Sequence, residues 1–372
     1  MTGLWARLRA FRYWPLVGGV LAWKALLFTY GELAFVTPWN EGIEDAGGFF
    51  EIWNRWDSLN YLFIAEHGYQ ATGPMRHLLA FYPLYPALIR LAEPLFGSFL
   101  AAGIGISTVC SVAAAVLFHR LVARDRPDLA DRAVFFLFAF PTSYALHIAY
   151  TESLFLMIAF GSLLAARSGR WALAGLLGAC AALTRINGVA LGVALALEAL
   201  AAYRADRRWR NGWLFLLLVP AGAAGYLLVN QAVTGDPFAF LHHQHEHFQR
   251  TLDWPWNGYA AMWRHSYTPV SSEGFVMRGQ ELLFATLMLV GTAWSCLKLR
   301  ASYAGFMVAN ALLVMSFTYP WSVPRYTLIL FPLHILMARL GAGRVRFALM
   351  AGWSLLFLGF FASLFVRGFW AF

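Results

Sequence analysis

The chain has 372 residues, enough for two or three soluble domains, yet 60% of them are hydrophobic and only 13% are charged, against about 25% charged in a soluble protein. Mean hydropathy is +0.58, and apolar runs close to the roughly 20 residues that cross a bilayer recur from Trp14 onward. Soluble enzymes, fibrous or disordered chains and secreted disulfide scaffolds are excluded, and the composition is that of an all-α polytopic membrane protein.

The net charge of +9 does not point to nucleic acid. Eighteen of the 28 Lys and Arg lie in six short segments, Arg7–Arg12, Arg120–Arg132, Arg167–Arg170, Arg204–Arg210, Lys298–Arg300 and Arg339–Arg346. These hold only four acids, Asp125, Asp128, Asp131 and Asp206. Lys and Arg gathered in short loops mark the cytoplasmic face, so the basic balance records topology. The expected partner is the lipid bilayer, and no nucleic acid is expected.

In chain order, Trp14 to Val36 lacks a small-residue cleavage site and reads as a retained first span running outward. Residues 37–78 form a long external loop. Phe81 to Phe96 carries Arg90, Glu93, Pro83, Pro86 and Pro94. It reads as a juxtamembrane helix on the outer face, because a span there would put the Arg120 loop outside. Further helices are predicted near 98–119, 133–149, 151–166, 171–185, 188–203, 211–231, 279–297, 301–319, 325–339 and 345–366, with a second long external loop at 235–278. The total is about 11 transmembrane helices (range 10–12), with the N-terminus in the cytoplasm and the C-terminus outside. The helices at 151–166 and 171–185 are short. Short helices meeting midway predict a cavity open to the outside, where polar backbone is tolerated. With no internal repeat or linker, residues 1–372 read as a single integral membrane domain. Cys110, Cys180 and Cys296 fall in apolar helical stretches and read as small core residues.

Ionisable residues outside the basic segments concentrate on one face. The 37–78 loop holds Glu41, Glu44, Asp45, Glu51, Asp57 and Glu66 against Arg55 and Arg76, and the 235–278 loop holds five histidines and four acids. Turns at Tyr150–Glu152, Arg185–Asn187 and Tyr319–Arg325 point to the same side. Charged groups at membrane depth are costly and default to a functional role.

Within Trp53–Tyr69, Asp57 lies between Trp56 and a helically spaced run, Tyr61, Leu62, Ile64 and Ala65. A partly desolvated acid there suits a proton acceptor, and it equally suits the N-cap of the helix that follows. Arg185 has no acid within ten residues, and Arg325 follows Trp-Ser-Val-Pro. Both suit phosphate, which a guanidinium binds through its planar fork; each can also anchor a helix end or pair with a distant acid such as Glu152. In His242-His-Gln-His-Glu-His247, His243 and His247 share a helical face, as do His242 and Glu246. No acid is placed as in metalloprotease motifs, so the run reads as a solvated or substrate-lining helix rather than a zinc site. No residue is assigned as a metal ligand.

Six motifs in order carry a resemblance. They are Trp56-Asp57-Ser58 with Ile64-Ala65 and Gly68-Tyr69, Phe81-Tyr-Pro-Leu-Tyr-Pro86, Tyr150-Thr-Glu-Ser-Leu-Phe155, Thr184-Arg-Ile-Asn-Gly188, Gly235-Asp-Pro-Phe-Ala-Phe240 and Ser322-Val-Pro-Arg-Tyr326. With these the chain resembles the PIG-V-type mannosyltransferases of the GT-C superfamily. The resemblance implies a GT-C-like bundle that moves mannose from a polyprenyl-phosphate-mannose donor to an acceptor hydroxyl on a glycolipid, glycan or protein. Transfer would occur on the non-cytoplasmic face, periplasmic or lumenal, and invert the anomeric centre. Asp57 takes the position of the base, and Arg185 and Arg325 suit the leaving phosphate, whose growing charge needs fixed donors.

Tyr150, Glu152 and Asn187 are candidate sugar or metal contacts. Trp56, Tyr61, Tyr326, Gln244 and His247 complete the expected substrate contacts. The acceptor is not carried over from members acting on glycosylphosphatidylinositol. His247-Phe248 stands where a Trp is expected, and a divalent cation, Mg or Mn, is left open because metal dependence varies across the superfamily. The alternative class is a transporter or lipid flippase, which should show paired charges at mid-membrane and matching inverted halves. Here the acids pool in external loops and the halves do not visibly match.

Overall fold

A computed structural model of the chain describes residues 12–36, 48–266 and 272–371. Its α-helices in chain order are α1 (Trp14–Phe35), α2 (Asp57–His67), α3 (Leu84–Phe96), α4 (Phe99–Ala123), α5 (Ala130–Phe138), α6 (Glu152–Ala166), α7 (Trp171–Thr184) and α8 (Asn187–Asp206). There follow α9 (Leu218–Thr234), α10 (Ala239–Glu246), α11 (Pro255–Ser266), α12 (Ser272–Lys298), α13 (Ala301–Met315), α14 (Val323–Leu328), α15 (Phe331–Leu340) and α16 (Arg344–Val366). The described residues contain no strand, only an isolated bridge between Leu252 and Phe317.

Among the described residues, six helical segments are long and apolar enough to cross a membrane, and α6, α7, α13 and α15 are shorter apolar helices. The protein is therefore a multi-pass helical bundle, although not every expected span forms one helix. The stretch read as a span at 133–149 stops at Phe138, because Pro141 offers no N–H and clashes with the preceding turn. Irregular backbone then runs to Thr151, with a 3₁₀ turn at Ser143–Leu146. The span expected at 325–339 is likewise split into α14 and α15, with Pro332 opening the second piece. The span expected at 301–319 ends at Met315. Of the three cysteines only Cys110 is buried; Cys296 is exposed, so the reading as core residues fails there.

Non-helical backbone inside an apolar bundle must find its hydrogen bonds within the protein. For Phe138–Thr151 they come from neighbouring helices. Trp23 Nε1 donates to the Phe138 carbonyl at 3.0 Å, Lys24 Nζ to that of His147 at 2.9 Å, and Ser107 Oγ to that of Tyr150 at 3.3 Å. Helices α4, α6 and α7 pack side by side, and α9 lies along α7. Close approach there depends on small residues. A Cβ on Gly222 would run into the Ala179 backbone, whereas one on Gly352 would meet nothing. Gly222→Ala is therefore expected to destabilise the bundle by about 1–3 kcal/mol. Gly352→Ala should not lower stability. Thermal unfolding of both variants in detergent checks the contrast.

The basic segments tie the bundle together at one end. Arg167 pairs with Asp125 at 2.6 Å and 2.8 Å, and Tyr303 joins them. Arg300 grips Glu198 at 2.6 Å and 2.8 Å. Since α6 runs from Glu152 to Ala166 and α8 from Asn187 to Asp206, their opposite ends carry Glu152 and Asn187 to a common place.

Candidate active site

The segment before α2 is fixed by Trp53, which is fully buried and stacks on Phe28 at 5.0 Å and Phe365 at 6.1 Å. Gly31 leaves room for its indole. Trp56 then adopts φ 54, a conformation rare for a bulky residue, and packs edge-on against Trp370 at 5.2 Å. Trp56 occupies the cap position without a side-chain cap bond, and Asp57 is the first helical residue. The Asp57 carboxylate does not serve as an N-cap; its Oδ2 accepts Arg325 Nη2 at 2.6 Å.

That bond opens a chain of alternating charges. Arg325 Nε lies 3.0 Å from Glu152 Oε1, which also accepts a short bond from Arg185 Nη1. Arg185 Nη1 further donates to Thr151 Oγ1 at 2.7 Å, and its Nε to Asn187 Oδ1 at 3.4 Å. Asn187 passes the chain to Asn310 at 2.7 Å. The two arginines are thus both paired with Glu152, the distant acid that the sequence offered as a partner for either. Glu152 is fully buried, and its Oε2 has no hydrogen-bond partner among the described residues.

Aromatic rings frame these charges. Arg325 sits over the Tyr150 ring at 5.0 Å and Arg185 over the Tyr326 ring at 5.4 Å; such faces attract cations. Tyr61 lies on the same face of α2 as Asp57 and meets Phe81 and Tyr85 edge-on at 5.2 Å and 5.4 Å. Burial raises its phenol's pKa, and the Asp57 charge raises it further, so Tyr61 stays protonated as a donor. Two guanidinium groups lie near the Tyr326 ring, that of Arg185 over its face and that of Arg250 in the wall of an adjoining pocket.

That pocket, beside the ring, is small and partly open. Asn187, Arg250 and Tyr326 are its polar members, and Ile186, Leu313, Phe317 and Trp321 form much of its wall. Arg250 was not singled out from the sequence, where it sits in a polar external loop; its Nη2 donates to the Trp321 carbonyl at 3.1 Å. Asn310 and Glu281 were missed as well, Asn310 within an apolar stretch and Glu281 beside Gln280 and Arg278 near the start of an expected span.

Gln244 and His247 do not join the charge chain by any described hydrogen bond or ring contact. The histidine run packs as α10 against the 3₁₀ helix Pro74–Ala80, with His247 stacked on His77 at 3.9 Å and Glu246 paired with Arg76 at 3.3 Å. Burial and the nearby His77 lower the pKa of His247. Glu41, Glu44 and Asp45 lie outside the described residues. A divalent cation does not fit the gathered residues. No three His, Cys, Asp or Glu converge among the described ones, and a guanidinium lies between the two carboxylates.

Residues 41–219 match the model of a family described as Mannosyltransferase (PIG-V). GPI alpha-1,6-mannosyltransferase 2 of Rattus norvegicus is 34% identical over 148 residues, which are 37% of this chain and 29% of that protein. The Mus musculus protein of the same name is 35% identical over 155 residues, 38% of this chain and 31% of that one. The match thus spans under a third of these relatives' length. ArnT from Cupriavidus metallidurans, solved bound to undecaprenyl phosphate, superposes with a TM-score of 0.51 at 15% identity, over 87% of this chain and 60% of ArnT. The Archaeoglobus fulgidus oligosaccharyltransferase, in its apo form, gives 0.50 at 12% identity, over 97% of this chain and 57% of that one. These likenesses show the fold, a GT-C-type helical bundle.

Proposed function

We propose that the chain is a mannosyltransferase of the kind its residues 41–219 match, and that it transfers mannose from a polyprenyl-phosphate-mannose donor to an acceptor hydroxyl, with inversion. The observation that carries this reading is the buried chain Asp57–Arg325–Glu152–Arg185 standing beside a pocket with a third arginine. In a single displacement the acceptor oxygen attacks C1 of mannose as its proton passes to the Asp57 carboxylate. The bond from C1 to the phosphate oxygen breaks, and its electron pair leaves with the polyprenyl phosphate. Arg185 and Arg325 from the core and Arg250 from the pocket wall meet the growing negative charge, and their fixed geometry means little reorganisation is needed as it develops.

The apolar pocket wall suits the first isoprene units of a lipid-linked donor. ArnT, alike in fold, holds a polyprenyl phosphate. Trp56, Tyr61, Tyr150 and Tyr326 supply faces and hydroxyls for a sugar, and Asn187 a hydrogen-bonding amide. Gln244 and His247, farther out on the α10 layer, are assigned to the acceptor side. The acceptor is a glycolipid, glycan or protein hydroxyl. On this reading the site faces the periplasm or lumen, because Arg167 and Arg300 lie at the opposite end of the bundle, where positive loops stay cytoplasmic. Neither the family match nor the fold supports transport.

Proteoliposomes supplied with labelled polyprenyl-phosphate mannose and simple mannoside acceptors test the proposal. Transfer to a mannoside is expected, and it should persist in chelator. Absence of both transfer and donor binding would overturn the reading.

A further inference from the structure

One carboxylate takes no part in the transfer step and is nevertheless fully buried. Glu281 lies on α12, within a segment long and apolar enough to cross a membrane. Its Oε1 accepts the backbone N–H of Ser322 at 2.9 Å, and its Oε2 accepts that of Val323 at 2.8 Å. Both amides belong to the turn that leads into α14 and so to Arg325. Within this turn Ser322 has φ 63, the left-handed region that a residue with a Cβ avoids. The turn therefore needs an external hold. Arg250 supplies one grip, donating to the Trp321 carbonyl at 3.1 Å; Glu281 supplies the other two from within the bundle. Burying a carboxylate is costly, and an apolar residue of similar volume would commonly pack there at less cost. What the charge provides is a pair of acceptors on two successive amides.

We propose that Glu281 is a positioning residue for the transfer reaction: it locks the Trp321–Val323 turn so that Arg325 is presented to Asp57 and Glu152. The assignment rests on the function proposed above. The geometry runs in one unbroken series, from Glu281 to the Ser322 and Val323 amides, along two residues of backbone to Arg325, and from its guanidinium to Asp57 at 2.6 Å and Glu152 at 3.0 Å. A shift in the turn moves the guanidinium relative to both carboxylates. Glutamine cannot replace the side chain, since it keeps one acceptor oxygen and sets an NH₂ group against the second amide.

The experiment uses the full chain and has two arms. Hydrogen exchange read by mass spectrometry needs no activity. In Glu281→Gln the peptide covering residues 319–328 is expected to exchange about tenfold faster, with peptides from α4, α6 and α7 unchanged. Unaltered exchange in the turn would overturn the assignment. Acceleration throughout the bundle would also overturn it, because a merely structural carboxylate loosens everything around it.

The second arm measures mannosyl transfer. Glu281→Gln is expected to lower kcat by about ten- to a hundredfold, the scale of a misplaced reacting group, with donor KM moved far less. Most of that loss should disappear in an Arg325→Lys background, because both changes disable the same guanidinium and coupled sites are not additive. Losses that multiply in full would sink the idea. If wild-type protein transfers nothing, the proposed function fails, and the exchange arm still decides what Glu281 holds.

Discussion

Replacing Asp57 with Asn is expected to lower mannosyl transfer by about 10²–10⁴-fold, the contribution of a positioned general base, while the protein remains folded. The amide is isosteric and keeps one oxygen for Arg325 Nη2, which now bonds Asp57 Oδ2 at 2.6 Å. Arg325 also retains Glu152 at 3.0 Å, so it keeps one carboxylate partner, shared with Arg185. What disappears, on the proposed mechanism, is the group that takes the acceptor's proton. Single-turnover transfer in proteoliposomes, run beside thermal unfolding of the same preparation, separates the two effects. Equal transfer by Asp57→Asn would remove Asp57 as the base and turn attention to Glu152, whose second oxygen has no hydrogen-bond partner among the described residues.

Glu152→Ala is expected to act on stability first. Glu152 is fully buried, accepts a hydrogen bond from Arg185 and is ion-paired with Arg325. Removing it strands two guanidinium groups with insufficient negative charge, and breaking a buried ion pair in this way costs about 3–5 kcal/mol. Glu152→Gln, which keeps the volume and an acceptor oxygen, should cost less but still disturb the arginines. Chemical denaturation in detergent provides the comparison. If Glu152→Ala unfolds at the wild-type denaturant concentration, water reaches the arginines freely and the site is wetter than its burial indicates.

The members of the charge chain were legible in the sequence because ionisable groups are rare in apolar surroundings. Asp57, Glu152, Arg185 and Arg325 stand out in that way, and the clustered cations separated one end of the bundle from the other. Glu152 was legible as a partner for either arginine, whereas the pairing of Arg325 with Asp57 was not. Asp57 and Arg325 are 268 residues apart, and only the packing of α6, α7 and α14 brings Glu152 between the arginines. Arg250 lay hidden in a polar loop where a cation is unremarkable, and Glu281 resembled an ordinary charge near a helix end. The helix pattern was read well where apolar runs were uninterrupted, as in α1, α4 and α16. It was misread at 133–149, where an apolar run contains Pro141 and continues as irregular backbone held by Trp23, Lys24 and Ser107. Hydropathy measures burial, and a buried non-helical segment scores as highly as a helix.

The unequal lengths of α4 and α6 have a consequence for what can be mannosylated. Ser107, which bonds the Tyr150 carbonyl, lies eight residues along α4 from Phe99, a descent of about 12 Å at 1.5 Å per residue. Tyr150, and with it the neighbouring Glu152, therefore sits beside the middle of α4 rather than beside its first turn. On the proposed reading, a donor whose phosphate hangs from a membrane lipid can bring its sugar to that level without leaving the bilayer, and the acceptor must extend its hydroxyl inward to meet it.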